Sequence, residues 1–202
     1  MSLAATPIVL ASASEARAEM LRAAGVAVEV APARIDEEEV KAALRAEGAP
    51  ARDQADKLAE MKAVRVSSRV SGVLTLGADQ VLDLKGEAFD KPRDLGEARE
   101  QLGRLRGERH ELLSAAVIAL DGAPIWRHVG RARLSMRPFS DAFLDDYLER
   151  MGDEVLTTVG GYKLEGLGAQ LFARIDGDYF TVLGLPLIET LGFLRVRGAL
   201  TE

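Results

Sequence analysis

A single acid interrupts an apolar run at Leu76-Gly77-Ala78-Asp79-Gln80-Val81-Leu82-Asp83-Leu84. Val73 to Leu76 reads as a buried strand, Gly77-Ala78 as a small-residue turn, and Val81 to Leu84 as a strand that restarts at once. A carboxylate at such a break is fixed by rigid backbone on both sides, which suits a metal ligand or general base. A turn aspartate that hydrogen-bonds its own backbone has the same signature.

Four other groups carry chemistry-bearing side chains. A strand runs into Ser12-Ala13-Ser14 and then a helix, with Arg17 in its first turn. Unpaired N–H groups and a positive dipole end there suit a phosphate, with the two hydroxyls and Arg17 as added donors. Helix capping by Ser14 explains the same spacing. Lys62 on a long helix and Lys91, fixed by Pro92, are candidate cations; solvated surface lysines look alike in sequence. Asp36-Glu37-Glu38-Glu39 either neutralises a helix N-terminus or lends a carboxylate that joins Asp79 around a magnesium ion. The glycine-rich stretch Gly160 to Gly168 holds Tyr162, Lys163 and Glu165. It permits close approach to a planar ligand, with Glu165 as an acceptor for a base edge, or it is a tight structural loop. His110 reads as a surface or loop-packing residue and Trp126 as packing.

The elements that must position these groups follow from patterning. Pro7 to Ala11 and Val26 to Val30 are strands, with a helix from Glu15 to Ala24 between them, ended by Gly25. Asp36 opens a helix to about Glu47, and Arg52 to Ser68 is a long amphipathic helix. Asp94 caps a helix over Leu95 to Leu105, and Ser140 caps another over Asp141 to Met151. Glu111 to Leu120 and Ile125 to Met136 pair around the turn Asp121 to Pro124. Asp176-Gly177-Asp178 is a turn, and Leu187 to Arg197 closes the chain as a helix. Strands and helices mix without a repeating βαβ period. The expected fold is α/β, a mixed central sheet with flanking helices in two lobes around a cleft, as one domain over residues 1–202.

Composition excludes several classes. The 202 residues carry a net charge of −6, and only 5% are aromatic, which argues against a nucleic-acid polymer as partner. Cysteine is absent, so disulfides, thiolate metal sites and thiol nucleophiles are excluded. With two histidines, His110 and His128, a histidine-rich zinc site is not expected. Met1 to Ala11 lacks a basic n-region before a long apolar core, and no apolar run approaches the roughly 20 residues of a spanning helix. A cytoplasmic protein with no membrane association is expected.

Taken together and in order, these pieces resemble the Maf family of nucleoside triphosphate pyrophosphatases, also called septum formation inhibitor proteins. The likeness runs from about Pro7 to Leu194. It rests on Leu10-Ala11-Ser12-Ala13-Ser14 with Arg17, Ile35-Asp36-Glu37, Lys62-Ala63, Gly77-Ala78-Asp79-Gln80 and Lys91-Pro92. It continues through Gly161-Tyr162-Lys163-Leu164-Glu165-Gly166-Leu167-Gly168 and Gly184-Leu185-Pro186-Leu187.

The resemblance implies a sheet-and-cleft fold like that of inosine triphosphate pyrophosphatases. It also implies hydrolysis of a nucleoside triphosphate between the α- and β-phosphates, with a divalent cation, Mg or Mn. By resemblance Asp79 is the catalytic acid that accepts a proton. Ser12, Ser14, Arg17, Lys62 and Lys91 fall on phosphate-binding positions, and Glu37 with Asp79 on metal-binding ones. Gln80 and Glu165 fall on substrate-binding positions and look more like the branch acting on methylated GTP than the one preferring dTTP or UTP. House-cleaning of modified nucleotides and a homodimer are further implications.

One departure stands out. The family usually has Ser-Pro-Arg-Arg where this chain has Ser14-Glu15-Ala16-Arg17. Loss of one charge-assisted contact would weaken phosphate binding by about 1.5–3 kcal/mol. Ala16 therefore favours the rival reading, a nucleotide-binding regulator of septum formation with little turnover. Retention of Asp79, Glu37, Lys62 and Lys91 favours an enzyme. A house-cleaning inosine triphosphate pyrophosphatase would share the reaction but not these motifs.

Overall fold

The computed structural model describes residues 7–201; residues 1–6, part of the stretch read for a signal peptide, and residue 202 lie outside the described residues. Ile8–Leu10 (β1) is apolar and buried throughout, as a strand covered on both faces must be. It pairs in parallel with Val28–Val30 (β2) and with the start of Thr75–Leu84 (β3). Beyond β3 the sheet is antiparallel. Glu87–Phe89 (β4) shares the β1 edge of β3, while Arg109–Leu120 (β5) takes its other edge. Ala123–Met136 (β6) and Phe172–Asp176 (β7) follow, giving the order β2-β1-β3-β5-β6-β7. The mixed sheet with flanking helices agrees with the sequence reading.

The helices are Glu15–Ala23 (α1), Glu37–Ala46 (α2), Ala51–Ser67 (α3), Leu95–Leu105 (α4), Asp141–Met151 (α5), Tyr179–Val182 (α6) and Leu187–Val196 (α7). Side chains of Ser14, Asp36, Asp94 and Ser140 cap α1, α2, α4 and α5, each accepting from the backbone N–H three residues on. No helix among the described residues is long and apolar enough to cross a membrane.

The expected break at Asp79 is absent. β3 runs unbroken, with Gly77, Ala78, Asp79 and Gln80 in register against Val117, Ala116, Ala115 and Ser114 of β5. Gly77 is there for contact with α3 and not for a turn. A Cβ at Gly77 would stand 2.1 Å from the Ala59 carbonyl oxygen and 2.6 Å from the Ala63 nitrogen. Ala55, Ala59 and Ala63 are fully buried on the facing side of α3, so small residues on both elements let the helix backbone rest on the strand. The strands β4 and β7 and the short helix α6 lack a clear sequence signal; β7 has no buried residue and does not alternate.

Successive residues of β3 serve opposite faces. The α3 face holds Gly77, Asp79 and Val81. The other face holds two separate apolar clusters. Ile8, Leu10, Leu21, Leu76, Ile118 and Leu194 form one, and Leu82, Leu102, Leu112, Leu134 and Tyr147 the other. Between them lie polar Gln80 and Ser114.

His110 is not at the surface. It is 1% exposed on β5, and its Nε2 lies 2.7 Å from the Tyr162 hydroxyl, within a group of tilted rings that includes Phe172. Burial lowers its pKa from 6.5 to about 4. Trp126 packs as expected, stacking on Phe193 and His128.

Candidate active site

β1 pairs with β3 only at Thr75 and Leu76, and β4 only at Leu82 to Leu84. Between these pairings one edge of β3 has no neighbouring strand, and there a cleft of about 750 Å³ opens. It lies just past the carboxyl end of β1, where parallel-sheet proteins place ligands. Ser12, Ser14, Arg17, Glu37, Lys62, Asp79, Gln80, Lys91 and Glu165 all line it. Residues from six separated stretches of sequence thus meet in one place.

At the centre the Lys62 ammonium bridges two acids, 2.7 Å from Asp79 Oδ1 and 2.9 Å from Glu37 Oε1. Lys62 and Asp79 are each only 6% exposed, so this is not the solvated surface lysine its helix position allowed. The second carboxylate oxygen, Asp79 Oδ2, is buried with no hydrogen-bond partner among the described residues. A buried charged acceptor left open costs stability, and such atoms call for a chemical reason. Burial pushes Glu37 up, but Lys62, Lys41 and Arg17 together outweigh it and hold its carboxyl below the ordinary value.

Arg17 ties three segments together. Its Nε donates to the Gly184 carbonyl at 2.7 Å, and its Nη1 to Ser12 Oγ at 3.0 Å and the Ala78 carbonyl at 3.2 Å. Gly184 has φ +102°, a region an L side chain rarely enters, which turns this carbonyl inward and accounts for the glycine in Gly184-Leu185-Pro186. Nη2 carries none of these bonds. Burial lowers the Arg17 pKa against the opposing pull of Asp79 and Glu37, and a guanidinium stays charged regardless. Ser14 caps α1, with Arg17 N at 3.4 Å from its Oγ, and also lines the cleft. The two readings of that serine are compatible.

Lys91 is exposed at the cleft rim and makes no ion pair among the described residues. Partial desolvation and repulsion from Arg17 and Lys62 lower its pKa, against Glu37 and Asp79. Glu165 is exposed on the opposite rim. Gln80 lines the cleft with its amide nitrogen tied down. Its amide nitrogen already faces Ser114 Oγ at 3.0 Å and the Thr181 and Val182 carbonyls at 3.1 and 3.0 Å. Two amide hydrogens are fully engaged by three acceptors, so its nitrogen anchors α6 to the sheet.

The cleft is polar at one end and apolar at the other, where Leu112, Val159, Tyr162 and Val182 line it. Sequence reasoning missed Lys41, which lines the polar end one helical turn after Glu37. The i, i+4 spacing of an acid and a lysine was its only signal.

The Maf-like protein family matches residues 7–197. The chain belongs to the Maf family. A Maf relative from Caulobacter vibrioides, named nucleoside triphosphate pyrophosphatase, is 57% identical over 196 residues, 97% of this chain and 98% of that one. A protein of the same name from Roseobacter denitrificans is 57% identical over 194 residues, 96% of this chain and 98% of that one. Among solved structures, a nucleoside-triphosphatase described as a dITP/XTP pyrophosphatase from Mycobacterium abscessus aligns with 96% of this Maf chain and 95% of its own. Its TM-score is 0.42 at 15% identity, a likeness too slight to bear on activity.

Proposed function

We propose that this Maf protein hydrolyses nucleoside triphosphates to a nucleoside monophosphate and pyrophosphate. The observation that carries this reading is the Asp79 carboxylate. One oxygen is held by Lys62 and the other is buried and unpartnered, in a cleft whose polar end gathers Arg17, Lys41, Lys62 and Lys91. A binding protein needs the cations. It does not need a buried carboxylate that is paired with a lysine through one oxygen and has the other in reserve.

Water attacks the α-phosphorus, forming a bond from its oxygen to phosphorus. The bond from that phosphorus to the α–β bridging oxygen breaks, and pyrophosphate leaves with the bridging oxygen. Asp79 takes the proton from water, and Lys62 holds the carboxylate in place. Arg17, Lys91 and the hydroxyl of Ser12 bind the phosphates and oppose the charge that shifts to the leaving group.

Asp79 and Glu37 suit a divalent cation, since magnesium is commonly held by one or two carboxylates with substrate phosphates as the remaining ligands. Among the described residues no group of three or more histidine, aspartate or glutamate side chains gathers for a metal ion, in this cleft or outside it, so substrate phosphates would have to complete the ligand set. Bound there, magnesium or manganese would neutralise phosphate charge. The apolar end suits a nucleobase, and Glu165 at its rim suits the N1–H and amino group of a guanine, which favours a methylated GTP-like substrate. House-cleaning of modified nucleotides, a cytoplasmic location and a homodimer rest on the resemblance.

Chromatography of the products from standard and methylated nucleoside triphosphates, with magnesium or manganese, tests the reading. Monophosphate and pyrophosphate are expected. Nucleoside diphosphate with free phosphate as the primary products would sink it.

A further inference from the structure

The side chains of the polar end fall short of the charge on a triphosphate, a deficit that a divalent cation at Asp79 and Glu37 would narrow and not close. Lys62 is fully engaged by Asp79 and Glu37, and those three groups together leave a net negative charge. Arg17 and Lys91 then remain to face a ligand with about four negative charges. Ala16, in the first turn of α1, lines the cleft without adding any charge.

Lys41 supplies the missing cation. It follows Glu37 by one turn of α2 and lines the same cleft, with its side chain only 16% exposed. Its Nζ lies 3.0 Å from Asp90 Oδ1, and Asp90 precedes Lys91 in the segment fixed by Pro92. The other oxygen of Asp90 accepts from Arg45 at 2.7 Å, from outside the cleft. Lys41 can therefore keep one donor on Asp90, which Arg45 holds in place, and turn its remaining donors to a phosphate. Although burial opposes the charge on Lys41, Asp90, Asp79 and Glu37 outweigh it and raise its pKa.

We propose that Lys41 is a phosphate-binding residue for the substrate, and that Asp90, held from behind by Arg45, is the positioning residue that presents it. The proposal deepens the pyrophosphatase reading and rests on it for the identity of the phosphate chain. It extends the ligand set to α2, so that phosphate is gripped from α1, from α2 and from the segment after β4.

The test is direct binding of inorganic tripolyphosphate, by titration calorimetry, alongside steady-state hydrolysis of a nucleoside triphosphate. Lys41→Met should weaken tripolyphosphate binding about ten- to a hundred-fold, the usual effect of one charge-assisted contact. It should raise KM far more than it lowers kcat. Lys41→Arg should retain most of the binding, and Lys57→Met, which removes a surface lysine elsewhere, should bind as the wild type does. Asp90→Asn should weaken binding several-fold, and Asp90→Asn with Lys41→Met should bind no worse than Lys41→Met alone, because both act through one ammonium.

Binding within two-fold of wild type in Lys41→Met overturns the proposal, as does an equal loss in Lys57→Met. Additive losses in the double variant overturn the role of Asp90. Should Lys41→Met not fold, loss of binding in Lys41→Gln with retention in Lys41→Arg makes the same distinction. If the wild type binds tripolyphosphate through Lys41 but releases no pyrophosphate from nucleotides, the pyrophosphatase reading fails and the Lys41 site stands.

Discussion

Gly77 lies directly beneath the Ala59 carbonyl, so close that a Cβ at this glycine would stand 2.1 Å from that oxygen. This contact sets how near α3 comes to β3, and Lys62, one turn further along the helix, consequently reaches Asp79, two residues further along the strand, at 2.7 Å. The catalytic pairing in the proposed mechanism therefore depends on the absence of a side chain next to it.

Gly77→Ala is expected to force α3 off the strand. Overpacking of a close-packed contact typically costs about 1–3 kcal/mol, and backbone atoms cannot move aside as a flexible side chain can. The expected result is a lower denaturation midpoint, with turnover reduced by more than the loss of folded protein explains. Wild-type stability and activity in Gly77→Ala would show that the contact does not set the Lys62–Asp79 distance.

Asp79→Asn is expected to reduce kcat roughly a hundred-fold or more while circular dichroism stays native. The amide has nearly the same shape but cannot accept the proton, and it leaves Lys62 with Glu37 as its sole acidic partner. Turnover above about a tenth of the wild-type rate would remove Asp79 as the base.

His110 makes stability depend on pH in a stated direction. Its folded pKa of about 4 lies below the ordinary 6.5, so the unfolded chain binds the proton more readily. That contribution is fully present above pH 6.5, is lost progressively as pH falls from 6.5 to about 4, and falls no further below that. The whole span corresponds to on the order of 3 kcal/mol. His110→Phe removes the bond to Tyr162 and lowers stability at neutral pH, but it should flatten the slope between pH 6.5 and 4 relative to wild type. Parallel slopes in the two proteins would show that His110 is not the titrating group.

Ala16→Arg tests the first turn of α1. A guanidinium there would be a bidentate donor to phosphate oxygens and should lower KM for nucleotide. Glu15 is able to capture the new arginine, although Arg22 already holds its carboxylate at 2.7 Å. Glu15→Pro with Ala16→Arg is accordingly the cleaner variant. If neither changes KM or kcat beyond about two-fold, position 16 does not face the phosphates.

Much of this protein is legible in the residues taken alone. Ser14, Asp36, Asp94 and Ser140 mark helix starts because a capping bond spans only three residues and needs nothing from the rest of the chain. The nine candidate site residues from Ser12 to Glu165 were likewise identifiable by type and order, and the structure brings all nine to one cleft. Three features were settled only by tertiary contacts. Gly77-Ala78 reads as a turn in isolation, but β5, more than thirty residues later, pairs with the whole length of β3 and keeps it straight. Straightness sends Asp79 and Gln80 to opposite faces, which gives the acid to Lys62 and ties the amide to α6. His110 and Lys41 have no local signature, because burial under Tyr162 and a place on the cleft wall depend on how distant elements pack. A short-range hydrogen bond is specified by its own few residues; a shared cleft exists only once the sheet has brought its walls together.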